Sequence, residues 1–146
     1  ATVTLTLDEV RDLTIRCFLA NGCDAANAEA VADVIHNAER DGAKSHGLFR
    51  VPGYVKSLKS GKANGHAVPV LEDLAPAVLR VAGDGGFAPL AQQLGREPLI
   101  ERARSQGVAA LAIPNLHPFQ ALLSQFDPLA EPGRCPFAFR PPSLPH

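Results

Sequence analysis

Methionine and tryptophan are absent from this sequence, and tyrosine occurs once, as Tyr54. Without an initiating methionine, the chain is expected to be processed or not a complete translated sequence. Cysteine is scarce: Cys17, Cys23 and Cys135 form no C-x-x-C pair and leave an odd thiol. That argues against a disulfide framework and makes a reducing, cytoplasmic compartment the simplest expectation. No H-x-x-x-H, H-E-x-x-H or paired-cysteine spacing occurs, so no metal is expected. The longest apolar run, "VAALAIP", is far too short to cross a bilayer, so no membrane partner is expected. The start, "ATVTLTLDEV", lacks the basic and apolar regions of a signal peptide. Neither charge sign dominates: 14 Lys and Arg face 15 Asp and Glu, which gives no electrostatic case for nucleic acid.

What is present reads as one globular domain with a modest core. At 46% hydrophobic and 20% charged, 146 residues suffice for that. Thr6 opens a T-x-x-E capping box with Glu9, and Val10, Leu13, Cys17 and Phe18 follow at helical spacing, with Gly22 as the stop. Asp24 can cap a second helix whose inner stripe is Ala28, Val31, Ile35 and Ala38, ending at Asp41-Gly42. A third helix is expected from about Pro52, with Val51, Tyr54, Val55 and Leu58 inward and Gly61 closing it. "KANGHAVP" reads as a loop, and "AVLRVAG" (77–83) as a strand. A helical stretch over 88–106 contains Gly95 and Pro98, so it is expected to be kinked or split. "GVAALAI" (107–113) reads as a buried strand, followed by a weaker helix at 119–131 and a strand at "CPFAF". Eight of the thirteen prolines lie from Pro114 to Pro145, which works against regular structure at the end.

The stretch "DGAKSHGLFRVPGY" (41–54) gathers reactive side chains at the mouth of the third helix. Histidine titrates near neutrality, so the residue type at 46 suits proton transfer. Arg50 could clamp a carboxylate through two parallel hydrogen bonds, and a helix N-terminus also favours an anion. Ser45 could hold the imidazole in one orientation. These parts suit a small 2-oxo or 2-imino acid. The same residues also make an ordinary hydrophilic turn with Ser45 as a local cap, and from residue types alone that is the commoner outcome. "GDGGF" follows a strand but matches neither G-x-G-x-x-G nor the Walker A pattern, so a tight turn is favoured over a phosphate cradle. His117 leaves the apolar strand in "IPNLHPFQAL", where a binding group and a plain surface histidine are equally reasonable.

The segment "AERDGAKSHGLFRVPGYVKSLKSGKANGHAVP" (38–69) resembles the type 2 malate/L-lactate dehydrogenase family, and within it the Δ1-piperideine-2-carboxylate/Δ1-pyrroline-2-carboxylate reductase branch. The shared signature is acidic-Gly-x-x-Ser-His-Gly followed by Arg50, Pro52 and Tyr54. The likeness runs through "VLRVAGDGGFAPL" and "ARSQGVAALAI" to "CPFAF", but spans only the N-terminal half of a family member. It implies an α/β fold, with N-terminal helices followed by alternating strands and helices, and a non-Rossmann NAD(P)-binding sheet. Residues 1–70 would be the helical segment carrying the Ser-His-Gly motif, and 71–146 the start of a truncated cofactor-binding domain. It also implies an oxidoreductase using NADPH or NADH on small cyclic 2-imino acids, and a homodimer with its site between domains and subunits. Ser45 and His46 would be the catalytic pair, with His46 as proton donor, and Arg50 the substrate-carboxylate residue. His117, Phe119, Gln120, Ala121 and Leu122 would contact the cofactor. Pro118 stands where the family has a histidine directly before the phenylalanine, with His117 one residue earlier. Malate, lactate or ureidoglycolate dehydrogenase chemistry shares the signature, and a non-catalytic dimerisation module is the alternative from another class.

Overall fold

The computed structural model describes residues 2–117, 129–130 and 133–138. Helix α1 (Leu7–Ala20) begins at the capping box: Thr6 Oγ1 accepts from the Glu9 amide at 3.2 Å, and Glu9 Oε2 accepts from the Thr6 amide at 2.7 Å. These bonds to the charged form hold the Glu9 carboxyl below its ordinary pKa. The inner stripe differs from expectation at one step. Leu13 is exposed and Thr14 is buried, its hydroxyl satisfied by donating to the Val10 carbonyl at 2.8 Å. Helix α2 (Ala25–Arg40) is capped by Asp24, whose side chain accepts from the Asn27 amide, and Ala28, Val31, Ile35 and Ala38 are buried as expected.

Residues 44–50 are two short 3-10 turns, Lys44–His46 and Leu48–Arg50, leading directly into helix α3 (Val51–Lys59). Proline sits in the first turn of α3, where its missing N–H has no helical role, and Val51 and Tyr54 are buried.

Strands β1 (Val70–Ala75) and β2 (Val78–Ala82) pair as an antiparallel hairpin, with a register irregularity between Asp73 and Ala75. β2 matches the expected strand over 77–83, whereas β1 was not expected: "VLEDLA" carries two consecutive acids and shows no clean alternation. Pairing with β2 makes it a strand. Helix α4 (Ala88–Gln106) then carries the chain across to β3 (Ala110–Ala112), which runs parallel to β2 in the order β1-β2-β3.

α4 is a single helix that runs through Pro98, so of the two forms expected, kinked or split, the split one does not occur. Its inner face, with Gly95 and Ile100 buried, is held against the sheet. A Cβ on Gly95 would lie 2.5 Å from Leu111 Cδ2 and 3.3 Å from Val81 Cγ2. Tertiary packing thus overrides the lost proline hydrogen bond. A further expectation is corrected at β3: it is exposed at both ends and only half-covered at Leu111, so it is not the buried strand that its apolar run implied. Among the described residues only β2 pairs with it.

The expected helix at 119–131 lies mostly outside the described residues, and Leu129 and Ala130, which are described, are a turn and irregular chain. Cys135 to Ala138 form no strand, contrary to the reading of "CPFAF", whose Phe139 is outside the described residues.

The core joins the helices to the start of α4. Phe18, Tyr54 and Phe87 meet with ring centroids 5.6–6.5 Å apart, around Val31, Ile35 and Val51. The connector from α3 to β1 is bonded on both flanks. The Asp24 amide donates to the Gly65 carbonyl at 2.9 Å, and Asn27 Nδ2 to the Ala67 carbonyl at 3.0 Å. On the other side the Asn64 amide donates to the Gly85 carbonyl at 2.9 Å, and the Val68 amide to Asp84 Oδ2 at 3.0 Å. A Cβ on Gly65 would lie 2.0 Å from the Gly22 carbonyl oxygen, so only glycine permits this approach. The sheet and helices are an α/β arrangement.

Candidate active site

The 3-10 turns bring Ser45, His46 and Arg50 together. Ser45 Oγ lies 2.9 Å from His46 Nδ1, and Arg50 Nε donates to the Ser45 carbonyl at 2.8 Å. Arg50 therefore spends one N–H on fixing itself to the backbone beside His46, and its terminal nitrogens remain for a ligand. The turn is closed by the His46 amide bonding to the Ala43 carbonyl at 2.8 Å and the Arg50 amide to the Gly47 carbonyl at 3.0 Å. Ser45 is exposed, and His46 and Arg50 are partly buried. With Nδ1 engaged by the hydroxyl, Nε2 is the ring nitrogen left open.

Sequence reasoning passes over Glu39. It lies in the last turn of α2, and its Oε1 accepts from the Leu48 amide at 2.7 Å. The carboxylate occupies the space beside Gly47, where a Cβ would stand 2.0 Å from Oε1. The only hint in the sequence is a glycine directly after Ser-His.

His117 is the one described residue of the expected cofactor loop. Phe119, Gln120, Ala121 and Leu122 lie outside the described residues. His117 forms a parallel bridge with Phe87, its amide donates to the Gly86 carbonyl at 2.9 Å, and its ring meets Phe87 edge-on at 5.6 Å. Burial pushes its pKa below the ordinary histidine value, opposed by a hydrogen bond that the ring donates to the Lys62 backbone carbonyl and aided by the Lys62 charge.

"GDGGF" is a tight turn, as favoured. The Gly83 and Gly85 amides donate to the carbonyls of Pro114 and Asn115, at 3.0 and 2.7 Å. A Cβ at Gly83 or Gly86 would meet Leu116 or Ala67 at 2.3 Å. The glycines admit the chain's own neighbours, which leaves no cradle for phosphate. A shallow cleft lined by Arg11, Asp33, His36 and Arg96 shares no residue with the Ser45–Arg50 turn, and an Arg11–Asp33 ion pair at 2.8 Å closes part of it. Among the described residues no group of three or more His, Cys, Asp or Glu is placed to hold a metal, and no helix is long and apolar enough to cross a membrane.

A family model described as malate/L-lactate dehydrogenase matches residues 5–141. The chain is 42% identical over 139 residues to a Δ1-pyrroline-2-carboxylate/Δ1-piperideine-2-carboxylate reductase of Pseudomonas aeruginosa, covering 95% of this chain and 42% of that protein. It is 45% identical over 132 residues to the enzyme of the same name from Pseudomonas syringae pv. tomato, covering 90% and 38%. Its fold superposes on the crystal structure of Δ1-piperideine-2-carboxylate reductase from that bacterium with a TM-score of 0.85 and 44% identity, over 88% of this chain and 39% of the other. The chain thus spans about two-fifths of the length of the relatives it matches. A match over nearly the whole chain, in sequence and in fold, makes it a member of the malate/L-lactate dehydrogenase family.

Proposed function

We propose that this chain is the N-terminal part of an NAD(P)H-dependent reductase of small cyclic 2-imino acids, Δ1-piperideine-2-carboxylate and Δ1-pyrroline-2-carboxylate. The observation that carries the reading is the single turn holding an imidazole, its orienting hydroxyl and a tethered guanidinium. The terminal nitrogens of Arg50 grip the substrate carboxylate and fix the ring over the turn. His46 holds a proton on Nε2 and passes it to the ring nitrogen as the C=N bond is reduced. Ser45 keeps Nδ1 occupied, so the ring does not swing away from the substrate.

A nicotinamide cofactor, when bound, supplies the hydride. The described residues meet it at His117, whose partly buried, neutral-biased ring beside Phe87 fits contact with a flat aromatic group. Phosphate contacts belong elsewhere, because the "GDGGF" turn is filled by protein. The resemblance extends the proposal to Phe119, Gln120, Ala121 and Leu122 as further cofactor contacts, to a homodimer, and to a division into a helical segment (1–70) and a cofactor-binding part (71–146). Three free thiols favour a cytoplasmic setting.

The test is absorbance at the nicotinamide band with the full-length protein that carries this N-terminal part, NADPH or NADH, and a panel of cyclic imino and 2-oxo acids. Consumption with the cyclic imines is the expected result. Turnover of open-chain 2-oxo acids alone would move the assignment to 2-hydroxy acid dehydrogenase chemistry. No turnover of any substrate would leave a non-catalytic module.

A further inference from the structure

We propose that Glu39 is a positioning residue: its carboxylate holds the backbone that carries His46 and Arg50 at the mouth of α3. This rests on the reductase reading for what the turn does, but not for how the turn is held. Ser45, His46 and Arg50 lie on the two 3-10 turns, and the joint between those turns is Gly47-Leu48. Short 3-10 turns have poor hydrogen-bond geometry and little stiffness of their own. Neither turn has a side-chain cap. Glu39 supplies what they lack, because its Oε1 accepts from the Leu48 amide at 2.7 Å. A charge-assisted bond of this kind is stronger than a neutral one.

Local helix chemistry gives no reason for a glutamate there. It stands in the last turn of α2, the negative end of the helix dipole, where an acid is disfavoured. Arg40, next to it, directs its side chain to Asp41 at 2.7 and 3.1 Å. The second half of the arrangement is Gly47. Its φ of −89° is open to any residue, so glycine is not required there by φ. Space is contested there: a Cβ would lie 2.0, 2.5 and 2.9 Å from Oε1, Cδ and Cγ of Glu39, so a side chain at 47 must displace the carboxylate. Gly47 and Glu39 are thus one device, a gap and the carboxylate that fills it. The glycine that follows Ser-His leaves the room that the carboxylate occupies.

The test uses the full-length protein and two kinds of readout. Glu39→Ala should speed hydrogen exchange at the Leu48 amide and shift the imidazole nitrogen resonances of His46. With cyclic imine and NADPH it should lower kcat by roughly tenfold or more, the scale of a small misplacement of reacting groups. Glu39→Gln keeps an acceptor oxygen in the same place and should recover most of both effects. Gly47→Ala should reproduce the Glu39→Ala losses by expelling the carboxylate. In the Glu39→Ala background the same Gly47→Ala change should cost little further, so the two losses do not multiply. Unmoved His46 resonances and Leu48 exchange in Glu39→Ala, or losses that multiply in the double variant, would overturn the proposal. Absence of turnover in the unaltered full-length protein would count against the reductase reading, while the resonances and amide exchange still decide the placement.

Discussion

Ser45 Oγ and His46 Nδ1 stand 2.9 Å apart although the residues are consecutive. Neighbours in a strand would point to opposite faces, and the 3-10 turn over Lys44–His46 is what lets them meet. In the proposed reductase the serine orients the ring and the imidazole handles the proton. His46→Ala should therefore abolish imine reduction, by roughly 10²–10⁴-fold for loss of a general acid. Ser45→Ala should leave a measurable residue of activity. Steady-state rates with both cyclic imines decide this, and normal turnover in His46→Ala would remove its role.

Arg50 Nε is committed to the Ser45 carbonyl at 2.8 Å. A lysine at 50 keeps the charge but loses both the tether and the two-pronged grip. Arg50→Lys should mainly raise KM for the imino acid, with a smaller change in kcat. An unchanged KM would show that the carboxylate is bound by other groups.

At Gly65 the prediction concerns folding alone. A Cβ there would press 2.0 Å from the Gly22 carbonyl oxygen and 3.0 Å from Cys23 Cα, which are backbone atoms with little room to yield. Gly65→Ala should cost about 1–3 kcal/mol or more, as overpacking does. Urea unfolding reads it directly as a lower midpoint at an unchanged slope.

His117 gives the acid limb of stability. Its folded pKa lies below the ordinary histidine value because the ring is partly buried, so the unfolded chain binds its proton first. Its contribution is fully present above about pH 6.5, the unfolded value, and is lost as pH falls through the lower folded value. His117→Gln should flatten the pH dependence of the unfolding midpoint within that window. An equally steep profile in the variant would assign the dependence to other groups.

The helical part of this fold is legible because its signals are local. Thr6 with Glu9 and Asp24 with Asn27 are caps written within four residues, and Pro52 marks the start of α3 within one. β1 is different. Val70–Ala75 holds Glu72 and Asp73 between two prolines and becomes a strand only through pairing with β2. Pro98 argues for a kink or a split in α4, and packing against Val81 and Leu111 keeps it one helix. The site divides in the same way. His46 and Arg50 stand in a recognisable motif, whereas the Glu39 contact spans nine residues and depends on a fold-back that no local pattern announces.

The connector at 61–69 has a mechanical consequence. A segment hydrogen-bonded to Asp24 and Asn27 on one flank, and to Asp84 and Gly85 on the other, is a weld and not a hinge. Rotation of the helices is passed to the sheet instead of being absorbed between them. The spacing between the helical part and the strands is therefore held from both flanks of one short segment.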